Sequence, residues 1–520
     1  MMAIYWLYQR DDQFMVALKI NNEINYYTDI ESLNKALESV QWLISFGDIK
    51  ELSLVSSKGK SKYLNQFLYM DLSQELGNKT IEEIGFINQF DMNVKTIKDF
   101  CKVRVEICEF ILDKREDYFE NKLEIIKQFN LKPSLVSRTR ANISAEVLGA
   151  VKQPNRANYL MYEISDKVPQ NEIPERLIDF YESITKKYKN TLDNNLIKNR
   201  FKMTVAGLTH TYGFGGVHAA KEKYDKEGLF LHIDAKSFFT SIMMNNDFIS
   251  SAIKEKHRVR QLHDKKAIEN KEAYKVVINA IVGSMNNPYS KLYDPRQYFS
   301  VTVSGQIIMT HLIVLLENFI EELVQTNTDG IIVKIKPVFE ALVTEVSKMW
   351  AEYYEMEVKV TKVKRVIQRN VNNYMMITED DEILKTGIYA DDSFTNSFIP
   401  VIRDAVVECQ LNGIKPQDYL VERFKTGDIK DFYFIGSKTK DSDGLVQEVI
   451  SGRNKDFKNV SSTVCGIATS NKRLGTIYQN KKGLHSKLTG CPDNFMSYTQ
   501  ATKKDINLSW YVEQVEKSLF

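Results

Sequence analysis

Two short segments carry acids of the kind that bind divalent metal ions. Asp234 follows the apolar run 229–233, which is typical of a buried β-strand, and Asp329 lies in the turn-forming sequence 327–330 between two β-rich runs. Mg²⁺ prefers oxygen ligands and keeps positions open for water and phosphate oxygens, so two carboxylates on neighbouring strands could support two-metal phosphoryl transfer. An Asp in a tight turn is more often explained by turn chemistry alone, because Asp and Gly are favoured there.

A third segment, 273–284, lies between these two and has helical spacing. Its residues Lys275, Asn279 and Gly283 recur every four positions, so on a helix they would share one face. On that face the lysine could contact a triphosphate, and the glycine would let the backbone approach a ligand closely. The three segments together therefore indicate phosphoryl-transfer chemistry more strongly than any one of them alone.

Taken in order, the three segments resemble the motifs of family B DNA polymerases. The family's D-x-x-S-L-Y-P-S appears as DAKSFFTS at 234–241, and its K-x-x-x-N-x-x-Y-G at 275–283 has Val282 in place of the tyrosine. Its D-T-D-S appears as NTDG at 327–330, with Asn327 in place of the first acid. The resemblance covers most of the chain and is to a compact polymerase of the phage (bacteriophage) type. It implies a template-directed DNA polymerase that adds deoxynucleotides to a primer 3′ end by two-metal phosphoryl transfer in DNA replication.

The resemblance also implies roles for individual residues. Asp234, Asp329 and Lys275 would be catalytic, and Asp234, Asp329 and the carbonyl of Ala235 would bind two Mg²⁺ ions, for which Mn²⁺ can substitute. Phe239 would exclude ribonucleotides by crowding a 2′-hydroxyl. The implied nucleotide-binding residues are Ser237, Phe238, Phe239, Lys266, Lys275 and Asn279. The implied DNA-binding residues are Tyr212, Gly215, Gly216, Gly283, Thr328, Lys364, Arg369 and Tyr374.

The order of elements, together with the resemblance, predicts an α/β and α+β multidomain protein. An RNase H-like, exonuclease-type N-terminal domain would precede a right-hand polymerase core of palm, fingers and thumb. The predicted parts are an exonuclease-like domain at 1–132, a helical connector at 133–200, a first palm segment at 201–252, fingers at 253–284, a second palm segment at 285–388 and a thumb at 389–520.

The N-terminal domain lacks the acids that a two-metal exonuclease needs. Where the family has a D-x-E motif, the opening strand 4–8 reads Ile-Tyr-Trp-Leu-Tyr, and only Asp48 could be a remnant of the second motif. Arg104 stands where the acid of the third motif is expected. We therefore predict that this degenerate domain keeps the fold without 3′–5′ exonuclease activity. The alternative is an unrelated N-terminal α/β module.

Length and composition fit a soluble protein of several domains. The chain has 520 residues, 43% hydrophobic and 27% charged, with a net charge of only +2, so any nucleic-acid-binding surface must be local. Five scattered cysteines without a C-x-x-C pair argue against zinc sites and disulfides and favour a cytoplasmic location. The apolar stretch 307–320 is too short to cross a membrane and predicts a buried helix.

The expected partners are primer–template DNA and deoxynucleoside triphosphates, with no membrane and a monomeric chain; the sequence identifies no accessory protein. Two alternatives stay open. The first is a catalytically weak or inactive polymerase-like protein that binds primer–template as a scaffold, although Asp234, Asp329 and Lys275 all persist. The second is an RNA-directed or self-priming polymerase, which the palm motifs alone do not distinguish.

Overall fold

The chain is described by a computed structural model that covers residues 1–10, 13–47, 68–76, 79–153, 162–187, 198–269, 272–390, 394 and 399–520. Two compact units are formed, one from Met1–Phe119 with Gly387–Phe520 and the other from Glu120–Thr386. Both units mix helices with sheets, as the sequence predicts for a multidomain α/β protein, while the six-part division stays a prediction. Asp48 and the side chain of Lys266 lie outside the described residues.

The first unit begins with a mixed five-stranded sheet. Its strands are β1 (Met2–Arg10), β2 (Gln13–Ile20), β3 (Glu23–Tyr27), β4 (Trp42–Ser45) and β5 (Leu68–Asp71), in the order β3-β2-β1-β4-β5. Strands β1, β4 and β5 are parallel, and β1, β2 and β3 are antiparallel. The helices of this part are α1 (Ile30–Leu37), α2 (Ile81–Ile87) and α3 (Ile97–Lys114). Alternate residues of β1, such as Ala3 and Tyr5, bury against Leu33 and Leu37 of α1.

The second unit is built around a nine-stranded antiparallel sheet. Its order is β14-β13-β12-β9-β11-β10-β8-β7-β6. The strands are β6 (Phe201–Val205), β7 (Leu208–Tyr212), β8 (His218–Ala220), β9 (Tyr224–Lys236), β10 (Glu322–Asn327), β11 (Gly330–Lys334), β12 (Glu357–Asn370), β13 (Asn373–Thr378) and β14 (Ile383–Thr386). The helices are α4 (Glu116–Gln128), α5 (Arg140–Val147), α6 (Glu175–Lys187), α7 (Phe238–Asn245), α8 (His257–Glu269), α9 (Glu272–Met285), α10 (Pro295–Leu316) and α11 (Glu340–Tyr353).

Helix α10 forms the centre of the second unit's core. Pro at its first turn and an Asp294 side chain that accepts from the Gln297 amide fix its start. Among the described residues, α10 is the single helix that is long enough and apolar enough to cross a membrane. However, 89% of its most apolar 18-residue window is buried inside the protein. Such all-round apolarity is expected of a helix enclosed by protein. The buried helix predicted at 307–320 therefore exists, but it starts and ends earlier in the sequence.

The C-terminal part of the first unit combines three helices with two sheets. The helices are α12 (Pro400–Asn412), α13 (Pro416–Thr426) and α14 (Leu508–Ser518). The sheets consist of short strands between α13 and α14, which carry little periodic apolar signal in the sequence. Their orders are β15-β18-β21 and β17-β16-β19-β20, from β15 (Phe434–Ser437), β16 (Gly444–Ser451), β17 (Asn454–Val460), β18 (Thr463–Ala468), β19 (Leu474–Lys481), β20 (Leu484–Lys487) and β21 (Phe495–Ser497).

Candidate active site

The nine-stranded sheet brings the two candidate acids onto adjacent strands. Asp234 lies near the end of β9, where its register partner on β11 is Gly330 and its partner on β12 is Lys359. Asp329 occupies the turn between β10 and β11, immediately before Gly330. The backbone amide of Ala235 donates a 2.9 Å hydrogen bond to the carbonyl oxygen of Asp329. This bond ties the strand that carries Asp234 to the turn that carries Asp329, although the two acids are far apart in sequence.

The turn that carries Asp329 has a strained backbone. Thr328 has φ 56°, in the left-handed region that a β-branched residue rarely adopts. Its amide donates to the Val217 carbonyl at 2.9 Å, and the amide of Asp329 donates to the Asn327 carbonyl at 2.7 Å. On the other strand, Ser237 also has a positive φ of 52°, three residues after Asp234. Strained residues that the surrounding structure holds in place cluster at functional sites, so this pair supports a functional reading of the acids.

The glycine-rich turn 213–216 packs directly against the strained threonine. A Cβ atom on Gly216 would lie 2.3 Å from the Thr328 Oγ1 atom, closer than any non-bonded contact allows. A Cβ on the adjacent Gly215 would meet nothing within 4 Å. Close packing against the turn of Asp329 therefore requires glycine at position 216 but not at position 215.

Both acids carry negative charge that the fold does not neutralise. Burial raises the pKa of Asp234, and the nearby Lys359 partly opposes this shift. Burial also raises the pKa of Asp329, and repulsion from Asp234 raises it further, while His232 and His218 oppose the shift. Neither carboxylate has an ion-pair partner among the described residues. A cation bound between the two acids would therefore be stabilised by both carboxylates.

A cavity of about 660 Å³ opens beside Asp329. Lys275, Asn279 and Gly283 line it together from one exposed face of α9, as their spacing predicts, while the opposite positions of the helix are buried. The predicted site residues on its wall are Gly215, Gly216, Ser237, Phe238, Phe239, Lys275, Asn279, Gly283 and Asp329. Residues from three predicted motifs and the glycine-rich turn therefore share one cavity large enough for a nucleotide-sized ligand.

Two aromatic rings form the floor of this cavity next to α10. Phe238 is almost fully buried and Phe239 is partly exposed. A Cβ on Gly305 of α10 would lie 2.9 Å from the Cε1 atom of Phe239 and 3.1 Å from that of Phe238. The missing side chain at Gly305 thus lets both rings rest on the helix backbone, which fixes how far Phe239 reaches into the cavity.

Several cavity residues escape the sequence motifs. Tyr298 and Thr302 reach the cavity from α10, four residues apart on one helix face, and Lys236 and Thr240 flank the first motif. The signal that could have found Tyr298 and Thr302 is the polar face that they give to an otherwise apolar helix. In the sequence alone that face is indistinguishable from ordinary core helix.

A buried glutamine on α10 holds the glycine-rich turn. The side-chain amide of Gln306 donates to the carbonyls of Gly213 and Gly215 at 2.8 Å each, and its oxygen accepts from the Gly213 amide at 3.0 Å. The hydroxyl of Tyr181 donates to the same oxygen at 3.0 Å. These bonds satisfy backbone groups that would otherwise be buried without partners. The glycine-rich turn is thereby held by Gln306 at Gly213 and Gly215 and packs on Thr328 at Gly216.

A second cavity of about 510 Å³ adjoins the same turn. It shares Gly215 and Gly216 with the first cavity, and its other wall includes Arg200, His218 and Asn370. The His218 Nδ1 atom lies 3.1 Å from the Asn327 side-chain oxygen, so the residue that replaces the first acid of the third motif is hydrogen-bonded at the cavity edge. The glycine-rich turn therefore forms a common border between two cavities.

The remaining predicted DNA-binding side chains lie away from the first cavity, and their contact with DNA stays a prediction. Tyr212 is fully buried, its hydroxyl lies 3.0 Å from that of Thr310, and the residue contributes to the wall of the second cavity. Lys364 is paired with Asp381 across the sheet. Lys364, Arg369 and Tyr374 line neither cavity. Thr328, by contrast, holds the turn at the cavity's edge, although it too is absent from the cavity walls.

The donor set at the two acids fits magnesium. Mg²⁺ in phosphoryl-transfer sites is bound by one or two carboxylates, with waters and substrate phosphates as the other ligands. Asp234 and Asp329 supply such a pair, and burial raises the pKa of both carboxyls, with repulsion from Asp234 raising that of Asp329 further. No group of three or more His, Cys, Asp or Glu side chains that could hold a metal is found among the described residues. The site therefore suits a metal ion whose remaining ligands are water and substrate oxygens. It does not suit a metal ion coordinated by protein side chains alone.

Comparison with known proteins finds similarity among solved structures and none among family models or curated sequences. The chain is similar to the solved structure of the family B DNA polymerase from the hyperthermophilic archaeon Pyrobaculum calidifontis, with a TM-score of 0.48 and 13% sequence identity. The similarity covers 99% of this chain and 77% of the archaeal one.

Proposed function

We propose that the chain is a template-directed DNA polymerase that extends a primer 3′ end with deoxynucleotides by phosphoryl transfer. The observation that carries this proposal is the pair Asp234 and Asp329. Asp234 lies on β9 and Asp329 in the turn that leads into the adjacent strand β11, and neither has an ion-pair partner among the described residues. Asp329 lines a cavity that also contains Lys275 and Asn279. An unneutralised pair of carboxylates beside a cation-lined cavity suits a metal-bound triphosphate better than it suits a structural role.

Each side chain has a distinct task in this proposal. Asp234 and Asp329 hold Mg²⁺, which activates the primer hydroxyl and neutralises phosphate charge when bound. Lys275 stabilises charge on the departing pyrophosphate. Asn279 and Gly283 face the new base pair, and Phe239 limits space at the sugar. The chain itself supplies mainly orientation and electrostatics, which is what phosphoryl transfer requires.

The N-terminal domain is, in the same proposal, an exonuclease-like module without hydrolytic activity. Arg104 supports this reading, because its side chain is buried on α3, pairs with Glu82 at 2.9 Å and stacks 3.3 Å from the Phe100 ring centroid. A cation fixed in this way repels the metal ions that phosphodiester cleavage needs. A labelled primer incubated with the protein and Mg²⁺ but no nucleotides should therefore keep its length. Shortening that depends on the metal would contradict this part.

A primer-extension assay with matched variants tests the main proposal. The wild type should extend a labelled DNA primer on a DNA template, and Asp234→Asn and Asp329→Asn should each lower the rate by about a thousandfold or more. Asp225→Asn is the control, since Asp225 lies on the same strand but pairs with Arg365 away from the cavity.

The same assay separates the two alternatives. If the wild type binds primer–template without extending it, the scaffold function replaces the polymerase. If an RNA template supports faster extension than DNA, the enzyme is an RNA-directed polymerase. If all three variants lose activity equally, the loss comes from the fold and the assignment of the two acids is wrong.

A further inference from the structure

The first unit carries an aromatic and cationic surface far in sequence from the candidate active site. The segment from Ser451 to Lys487 contains the cations Arg453, Lys455, Lys458, Lys472, Arg473, Lys481, Lys482 and Lys487 and the single acid Asp456. All eight cations are exposed. In a chain whose net charge is only +2, this imbalance marks a local positive patch.

Three rings cluster on one face of the sheet β17-β16-β19-β20. The Phe457 and His485 ring centroids are 4.2 Å apart, and the Phe457 and Tyr478 centroids are 5.6 Å apart. Strand register explains this, because side chains of register partners and of alternate residues share a face: Tyr478 pairs with Lys487, and Asn480 pairs with His485. The cluster, Phe457 with Tyr478 and His485, is called the ring platform below.

The platform face differs from the opposite face of the same sheet. The opposite face carries Leu445 and Ile477, which are buried in the core of the unit. On the platform face, Val446 is the register partner of Tyr478 and is 4% exposed, yet Phe457 itself stays 44% exposed. Much of the Phe457 ring is therefore open to solvent. A large exposed ring beside two others is more than the isolated exposed apolar residue that most surfaces show.

The cations around the platform are largely available to a ligand. Three of the eight form ion pairs: Lys455 with the buried Glu448 at 2.7 Å, Lys481 with Asp441 at 3.5 Å and Lys487 with Asp493 at 2.5 Å. The last two pairs are at exposed positions, where such pairs contribute little. Arg453, Lys458 and Lys482 have no ion pair with any described residue. Lys482 lies in the turn between β19 and β20, and Arg453 in the turn between β16 and β17, so cations border the platform at strand ends.

We propose that the ring platform binds single-stranded nucleic acid by base stacking, with the surrounding cations contacting its phosphates. Aromatic rings stack on unpaired bases whatever their sequence, and flanking lysines and arginines follow the backbone. A duplex keeps its bases stacked inside, so it has no free base faces to offer these rings. The proposal does not rest on the polymerase function, and Asp329→Asn should bind the strand as the wild type does.

Photocrosslinking locates the binding surface directly. The probe is a single-stranded oligothymidylate of about twelve nucleotides carrying one 5-iododeoxyuridine, a length within the usual range for such surfaces. The full chain is first saturated with an unlabelled hairpin primer–template, so that the candidate active site is occupied. Irradiation should then attach the probe to a peptide within 453–487. Attachment only to other peptides, or none, would overturn the proposal.

Matched variants complete the test by fluorescence anisotropy with the same strand. Phe457→Ala should weaken binding by about 5- to 150-fold, the range for loss of one stacked base. Phe457→Leu keeps a large apolar side chain at this position and should weaken binding similarly, which guards against misfolding of the alanine variant. Leu484→Ala is the control, since Leu484 is 77% exposed on the opposite face of the neighbouring strand. Wild-type affinity in both Phe457 variants, or equal competition by a duplex of the same length, would refute stacking.

Discussion

The backbone amide of Ala235 donates to the carbonyl oxygen of Asp329 at 2.9 Å, and this bond ties the strand of one candidate acid to the turn of the other. The separation of the two carboxylates therefore depends on a turn whose strained Thr328 is wedged between Val217 and Gly216. Because Thr328 immediately precedes Asp329, packing at the glycine-rich turn should affect the position of the Asp329 carboxylate and, through it, the rate of phosphoryl transfer. This relationship gives a test that does not alter either acid.

Replacing Gly216 with alanine should impair activity through packing alone. The added Cβ would lie 2.3 Å from Thr328 Oγ1, so the turn must shift, at a cost of about 1–3 kcal/mol for overpacking. A shift of this turn moves Asp329, and we expect primer extension to fall by roughly tenfold to a hundredfold. Steady-state extension rates on one hairpin template measure the effect.

The adjacent Gly215 provides the control. A Cβ there meets nothing within 4 Å, and its φ is not in the left-handed region, so Gly215→Ala should keep activity within about threefold of the wild type. The double variant Gly216→Ala with Thr328→Gly removes the clashing side chain and should recover part of the lost rate. Equal losses in the two alanine variants would show that the contact with Thr328 is not what matters.

Removing the charge of Asp329 should stabilise the protein at neutral pH. Its pKa is raised in the folded state by burial and by Asp234, so ionisation costs folding free energy once the pH exceeds the carboxyl's ordinary value. Below that value the group is protonated in both states and the cost vanishes. Asp329→Asn should therefore melt higher than the wild type at pH 7, by roughly 1–4 °C per kcal/mol relieved, and the gap should close as the pH falls towards about 4.

Added magnesium should stabilise the wild type more than it stabilises Asp329→Asn. A cation bound by the two carboxylates stabilises only the folded protein, so added Mg²⁺ or Mn²⁺ should raise the melting temperature of the wild type and much less that of Asp329→Asn. Asp225→Asn should keep the wild-type response, because its ion pair with Arg365 lies elsewhere on the strand. An identical metal response in all three proteins would rule out the acid pair as the metal site.

The sequence predicts which residues of α9 share one helix face better than it predicts the residues that hold the cavity wall in place. The four-residue spacing of Lys275, Asn279 and Gly283 correctly places them on one helix face, because helical periodicity is local information. Gln306 was not predicted as a support, since its partners Gly213 and Gly215 are some ninety residues away and only the folded core brings them together. Side-chain clamps of this kind depend on tertiary contacts that a single sequence does not encode locally.

The cationic stretch 361–374 acquires acidic partners that its own sequence does not contain. It has no acid between its first and last residue. In the folded sheet, Lys362 pairs with Glu340 at 2.5 Å, Arg365 pairs with Asp225 at 2.9 Å, and Lys364 pairs with Asp381. Neighbouring strands and a helix thus supply the missing acids. The positive patch around the ring platform keeps more of its cations without such partners.

Truncating Phe239 should relax the choice of sugar. Phe239 is partly exposed on the cavity wall and rests on α10 at Gly305, so the ring cannot retreat from a bulkier sugar. Phe239→Ala should raise ribonucleotide incorporation relative to deoxynucleotide incorporation by at least roughly tenfold, which competition assays with paired triphosphates measure. Phe238→Leu should leave this ratio unchanged, because Phe238 is 2% exposed and acts mainly as core. A changed ratio in Phe238→Leu alone would assign sugar selection to the other ring.

Restoring an acid at Asn327 should tighten metal binding. The Asn327 side-chain oxygen accepts from His218 at 3.1 Å, and an aspartate can keep that bond while adding a carboxylate two residues from Asp329. The rate should then reach half its maximum at a Mg²⁺ concentration about tenfold lower than in the wild type. Asn370→Asp adds the same charge at the edge of the second cavity and should not change the metal requirement. If both variants change it equally, general electrostatics and not a third ligand explains the effect; if neither does, Asn327 lies outside the metal site.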